Sequence, residues 1–166
     1  MQVITDINIS IGLNELCVTK NPDAVLIYYS IGSCIAVSAF DPMAKINTIT
    51  HIVLPVNTNN TSALLPAKFA DSAIPLLVTD MENGGAKRSR MAIKIAGGAR
   101  MLRGVQSGTI LDIGERNLIA VNEAINKLGL RIHTQDTRGN WGRCFWLYIA
   151  TGLTRVKTVD QSIIDL

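Results

Sequence analysis

A layered α/β sandwich (an α+β arrangement), one domain of mixed β-sheets with two main helices, is the fold the sequence predicts. Three observations carry it. Short segments rich in Val and Ile recur between turn signals such as Asp41-Pro42 and Thr151-Gly152, as strands do. Two longer stretches, near 66–81 and 112–128, place apolar residues at helical spacing. The 166 residues are 48% hydrophobic and 17% charged, which suits one core in a domain of the usual ~100–200 residues. The whole span, 1–166, is therefore expected to be a single domain.

The elements follow in order. Val3 to Ile11 is expected to form the first strand, followed by Ala24 to Ile31, Cys34 to Phe40 and Ile46 to Leu54. The polar stretch Asn57 to Ser62 is expected as a connection, because such side chains bond locally and compete with a regular ladder. Pro66 to Met81 reads as a helix: Pro66 suits a first turn, and Phe69, Ala73, Leu76, Leu77 and Met81 form one stripe. Pro75 removes one helical hydrogen bond and is expected to bend it, and Asn83-Gly84-Gly85 ends it. Met91 to Ala96 reads as a strand running into Gly97-Gly98. In the second helix Asp112 and Glu115 stand at capping-box spacing. Leu118, Val121, Ile125 and Leu128 make its stripe, and Gly129 is placed to close it in a left-handed conformation. Leu130 to Thr134, Arg143 to Ile149 and Thr154 to Val159 are strands, the last two a hairpin.

Several function classes drop out. A net charge of +3 is small and scattered, which argues against nucleic acid, and the densest basic cluster (Lys87, Arg88, Arg90) reads as a solvated loop. Cys17, Cys34 and Cys144 are odd in number without paired spacing, pointing to a reducing compartment rather than a disulfide framework. No CxxC, HExxH or His/Cys cluster occurs, so a metal site is not expected. The N-terminal residues lack a basic start followed by an apolar stretch, and no run nears ~20 apolar residues. Membrane insertion is not expected, and the cytoplasm is the expected location.

Cys34 and His51 carry the chemical interest. Both fall at apolar, strand-like segments; if those strands are neighbours in one sheet, thiol and imidazole can meet. A thiol attacks carbonyl carbon as the thiolate, and an imidazole is a common activator. Gly32 permits a bend and close approach of a substrate, and N–H groups at Ser33-Cys34 can hold an oxyanion. The ordinary alternatives are an inert core thiol and a structural histidine. Cys17, Cys144 and His133 lack such partners and read as structural. Gly97-Gly98 reads as a tight turn, since it lacks a helix-opening GxGxxG pattern. Arg116 and Asn117 open the second helix, where polar groups can donate into a site, though more often they are exposed. Asp136 and Arg143 can pair across a turn-rich segment that also presents Trp141.

Seven segments in order resemble the CheD family, the chemoreceptor glutamine deamidases of bacterial and archaeal chemotaxis: Gly32-Ser33-Cys34, Asp41-Pro42, His51-Ile52-Val53-Leu54-Pro55, Lys68-Phe69-Ala70-Asp71, Lys94-Ile95-Ala96-Gly97-Gly98-Ala99, Ile113-Gly114-Glu115-Arg116-Asn117, and Asp136 to Arg143. The similarity runs from about Ile11 to Val159. It implies an α/β sandwich that hydrolyses glutamine side chains on the cytoplasmic helices of chemoreceptors to glutamate and ammonia. Cys34 is then the nucleophile and His51 the general acid/base, and no cofactor is needed. It also implies a regulatory partner, the CheY-phosphate phosphatase CheC, on a surface matching Gly97 to Leu102, with Gly97, Gly98 and Leu102 as partner-binding positions. The family pattern has threonine six positions before the cysteine, orienting the histidine, and glycine four before. Tyr28 and Ser30 stand there in this chain, and Arg138 replaces a frequent glycine. Alternation along a regular strand puts Tyr28, Ser30, Gly32 and Cys34 on one face, making Ser30 the expected orienting group and Tyr28 a pocket wall. The competing expectation is a catalytically weakened module that docks on a CheC-type phosphatase or a receptor.

Overall fold

Strand-forming runs and two capped helices assemble into three layers. The computed structural model describes residues 7–58, 65–102, 104, 112–160 and 162–166. Among these, the strands are β1 (Ile7–Ser10), β2 (Leu16–Thr19), β3 (Ala24–Ile31), β4 (Ile35–Asp41), β5 (Ile46–Ile52), β6 (Ala92–Gly97), β7 (Ile132–Thr137), β8 (Arg143–Tyr148), β9 (Leu153–Thr158) and β10 (Ile163–Asp165). The helices are α1 (Ala70–Asn83) and α2 (Ile113–Lys127). One sheet runs β1-β3-β8-β9-β10 and the other β2-β5-β4-β6-β7. Both are mixed: β1 pairs with β3 and β6 with β7 in parallel, and the remaining pairs are antiparallel. The second sheet is the middle layer. Its β4 and β5 are buried on both faces, with the helices on one side and the first sheet on the other.

Local chemistry explains most elements. Asp112 caps α2 by accepting from the Glu115 N–H at 3.3 Å, and Gly129 turns left-handed beyond the helix end, with φ 72°. The return half of the capping box is replaced, because the Glu115 carboxylate pairs with Arg138 at 2.8 Å. The β8–β9 hairpin forms as expected.

Three expectations need correction. The helix at Pro66 is divided into a 3-10 turn over Pro66–Lys68, an extended Phe69, and only then α1. The end of β5 captures the intervening backbone: the Val53 and Leu54 N–H groups both donate to the Lys68 carbonyl, each at 3.0 Å. Pro75 sits inside α1, which continues past it because Ile74, Leu77, Val78 and Met81 bury the face below. Of the expected first strand, Ile7–Ser10 is strand and residues 3–6 lie outside the described residues, as do residues 59–62 of the expected polar connection. The short strands β2 and β10 were not anticipated. Finally, the segments approaching Cys34 and containing His51 are not neighbours in one sheet: β3 belongs to the first sheet and β5 to the second.

Candidate active site

Gly32, Ser33 and Cys34 form the crossing where the chain leaves β3 and enters β4 in the other sheet. Their three carbonyls are each tied back. The Ala99 N–H donates to Gly32, the Asn117 Nδ2 to Ser33 and the Gly98 N–H to Cys34, all at 2.9 Å. Gly97 is required for this contact. It holds φ +120°, and a Cβ there would lie 2.1 Å from the Cys34 oxygen. Gly97 and Gly98 are therefore buried backing for the nucleophile loop, whereas Met101 and Leu102 just beyond are 51% and 59% exposed. Among the described residues, neither the Ser33 nor the Cys34 N–H donates to another backbone carbonyl.

The β4–β5 register sets Ala36 opposite His51, so Cys34, two residues before Ala36, is a diagonal neighbour of His51 on the same face. Such neighbours have Cα atoms about 7–8 Å apart, within reach of longer side chains. That face looks between the sheets: Cys34 packs against the inter-sheet core, to which Ala36 and Ile49 belong, and the His51 ring lies 4.7 Å from that of Tyr28, tilted by 59°. His51 is 4% exposed, and neither ring nitrogen has a hydrogen-bond partner. Burial accordingly lowers its pKa to about 4. Burial also raises the Cys34 thiol, offset only in part by its own backbone N–H. At neutral pH the resting pair is a neutral thiol and a neutral imidazole.

Tyr28 is fully buried and packs its ring against the His51 imidazole. Its hydroxyl donates to the Glu15 carbonyl at 3.1 Å, which also accepts from Thr50 Oγ1 and the His51 N–H, each at 3.3 Å. Ser30 lies elsewhere. The β3–β8 register slips between Tyr28 and Ile31, so that Ile31 takes the inward position and is fully buried. Ser30 sits on this bulge at φ +58°, exposed, and lines an outer hollow of about 610 Å³ with Gly32, Met101, Trp146 and Lys157. The alternation expected for Tyr28, Ser30 and Gly32 fails because a bulge inserts one extra residue on its strand.

The remaining candidates are structural in their contacts. Cys17 is half-buried beside the inter-sheet core, and Cys144 lines the outer hollow. His133 Nδ1 accepts from the Ile93 N–H at 3.1 Å. Arg143, 2% exposed, pairs with Asp136 at 2.7 Å and stacks over the Trp141 ring. The basic cluster is partly neutralised, Arg90 by Asp41 and Arg88 by Glu82. Sequence reasoning placed Asn117 at the helix opening, where polar groups are usually exposed; it is fully buried. The usable signal was its spacing, four and eight residues before Val121 and Ile125 of the apolar stripe.

Comparison with known proteins adds the family context. The family described as CheD chemotactic sensory transduction matches residues 53–158. A protein of Symbiobacterium thermophilum named probable chemoreceptor glutamine deamidase CheD is 40% identical over 153 residues, covering 92% of this chain and 93% of its own. Proteins of the same name are 37% identical in Caldanaerobacter subterraneus subsp. tengcongensis (92% and 94% covered) and 39% identical in Clostridium botulinum (91% and 93%). Bacillus licheniformis hypothetical protein YfiH superposes with a TM-score of 0.43 at 13% identity, covering 82% of this chain and 61% of that one, a likeness too loose to carry weight.

Proposed function

The chain belongs to the CheD family, and on that premise we propose that it is a chemoreceptor glutamine deamidase working through the Cys34 thiol and the His51 imidazole. The observation that carries the reading is their placement: a thiol at a sheet-to-sheet crossing, diagonal to an imidazole on one face, with the Ser33 and Cys34 N–H groups donating to no other backbone carbonyl among the described residues. His51 takes the Cys34 proton as the sulfur bonds to the glutamine carboxamide carbon. The oxyanion accepts from the Ser33 and Cys34 N–H groups. His51 then delivers its proton to the leaving amine, the C–N bond breaks, and ammonia departs from a thioester. Water, deprotonated by the same imidazole, adds to the thioester, and the glutamate leaves with the thiol restored. One water is consumed per amide converted. Because both groups rest uncharged, His51 serves as general base rather than as the standing partner of an ion pair.

The substrate is a glutamine on the cytoplasmic helices of a chemoreceptor. Among the described residues no helix is long and apolar enough to cross a membrane, in keeping with a protein that acts on these helices from outside the bilayer. The reading gives a CheC-type phosphatase as the partner, docking at Met101 and Leu102, which are exposed, with Met101 packed beside Gly32. The test incubates the protein with a receptor cytoplasmic fragment and maps amide-to-acid conversion by peptide mass spectrometry. Conversion is expected with wild type and none above background with Cys34→Ala. Equal, absent conversion in both, with receptor or phosphatase binding retained, would make the chain a docking module.

A further inference from the structure

One buried side chain holds both halves of the site. Asn117, in the second turn of α2 and fully buried, donates through Nδ2 to the Ser33 carbonyl and to the Val53 carbonyl, both at 2.9 Å. Ser33 immediately precedes Cys34, and Val53 stands two residues after His51. Building on the deamidase reading, we propose that Asn117 is a positioning residue that orients the Ser33–Cys34 peptide and sets the spacing between the head of β4 and the end of β5.

The reason is peptide planarity. In a trans peptide the C=O and N–H point in opposite directions. Drawing the Ser33 carbonyl toward α2 turns the Cys34 N–H away from the helix, toward the side where its own sulfur receives it and where the oxyanion must form. The flanking peptides are tied in the same sense by backbone donors, Gly32 to Ala99 and Cys34 to Gly98, and those ties do not depend on the Asn117 side chain. Among the described residues the middle one rests on Asn117. Its Oδ1 is buried without a partner, which is unfavourable, so the donor end is what distinguishes this residue from the apolar members of the stripe.

Three variants test the proposal: Asn117→Leu, Asn117→Ser, and Asn122→Ala as a control, since Asn122 Nδ2 only donates back to Leu118 in the same helix. The readouts are kcat and KM on a receptor fragment, peptide-resolved alkylation of Cys34 by iodoacetamide against pH, and cooperative melting. Asn117→Leu is expected to lower kcat on the order of a hundredfold, with KM little changed, and to move the alkylation curve to higher pH. Asn117→Ser, which keeps one donor, recovers part of both. Asn122→Ala changes neither. If Asn117→Leu fails to fold, Asn117→Ser decides. An alkylation curve and kcat matching wild type in a folded Asn117 variant would overturn the proposal. Alkylation needs no receptor: a shifted curve in a protein without deamidase activity would sink the deamidase reading and leave Asn117 as the group that positions Cys34.

Discussion

The two buried layers of this molecule are built differently. Between the helices and the second sheet, the contacts are almost wholly aliphatic, with Ile35, Val37, Ile52, Leu77, Ile95 and Val121 among them. Between the two sheets, Leu26, Tyr28 and Phe145 share the space with Ser38, Asn47, His51, Lys94 and Thr154. Most of these polar groups bond across the gap. Asn47 Nδ2 donates to the Ile149 carbonyl at 3.0 Å, Lys94 Nζ to the Gly152 carbonyl at 2.9 Å, and the Ser38 and Thr154 hydroxyls meet at 3.4 Å. The His51 imidazole is the exception, buried beside Tyr28 with both nitrogens unpartnered. The apolar layer holds the second sheet in place, and the polar layer keeps one titratable group dry beside a thiol. The contrast teaches that stability and chemistry occupy opposite faces of the same two strands, with Asn117 reaching from the helix side to the Ser33 and Val53 carbonyls.

Removing packing from the helix layer has the largest expected effect on stability. Leu77→Ala, at a fully buried position, is expected to cost about 2–5 kcal/mol in urea unfolding, while the kcat of the folded fraction stays at the wild-type value. A fall in kcat per folded molecule would show that the two layers are not separable.

The polar layer shows itself through pH. The folded His51 titrates at about 4 and the unfolded histidine near 6.5. Below 6.5 the unfolded chain binds a proton that the folded one refuses, so stability falls as pH drops toward 4, by up to about 3 kcal/mol. Above 6.5 both forms are neutral and the contribution is constant. The difference in unfolding free energy between wild type and His51→Gln, measured at pH 7 and pH 4.5, isolates this slope from the carboxylates. An identical loss in both proteins would mean that His51 is not held neutral by burial.

The smallest effect is expected at Ser30. Exposed on its bulge and without a bond to His51, it should tolerate Ser30→Ala within about 0.5 kcal/mol and with kcat unchanged. Lost activity with intact folding would mean that the bulge rearranges to bring the hydroxyl to the imidazole.

Short-range features were legible in the text. The cap at Asp112, the closing Gly129, the hairpin at Thr151-Gly152 and the core run Ala24 to Ile31 depend on residues a few positions apart. The Pro66 helix was misjudged because a distant strand end, at Val53 and Leu54, captures Lys68 and holds Phe69 extended. β2 was missed because four half-buried residues carry little periodicity, and their pairing with β5 is what makes them a strand.

The site divides in the same way. By itself the sequence determined that a thiol and an imidazole stand at apolar segments, that a glycine lies two residues before the thiol, and that the family pattern is present. Only the tertiary structure decided that Cys34 lies at a crossing between sheets, that a bulge turns Ser30 outward and Ile31 inward, and that Asn117 reaches two carbonyls far apart in the chain. Side-chain period and capping are local energies summed over neighbours in sequence. Register, bulges and buried hydrogen bonds are settled only when distant backbone groups compete for the same partners.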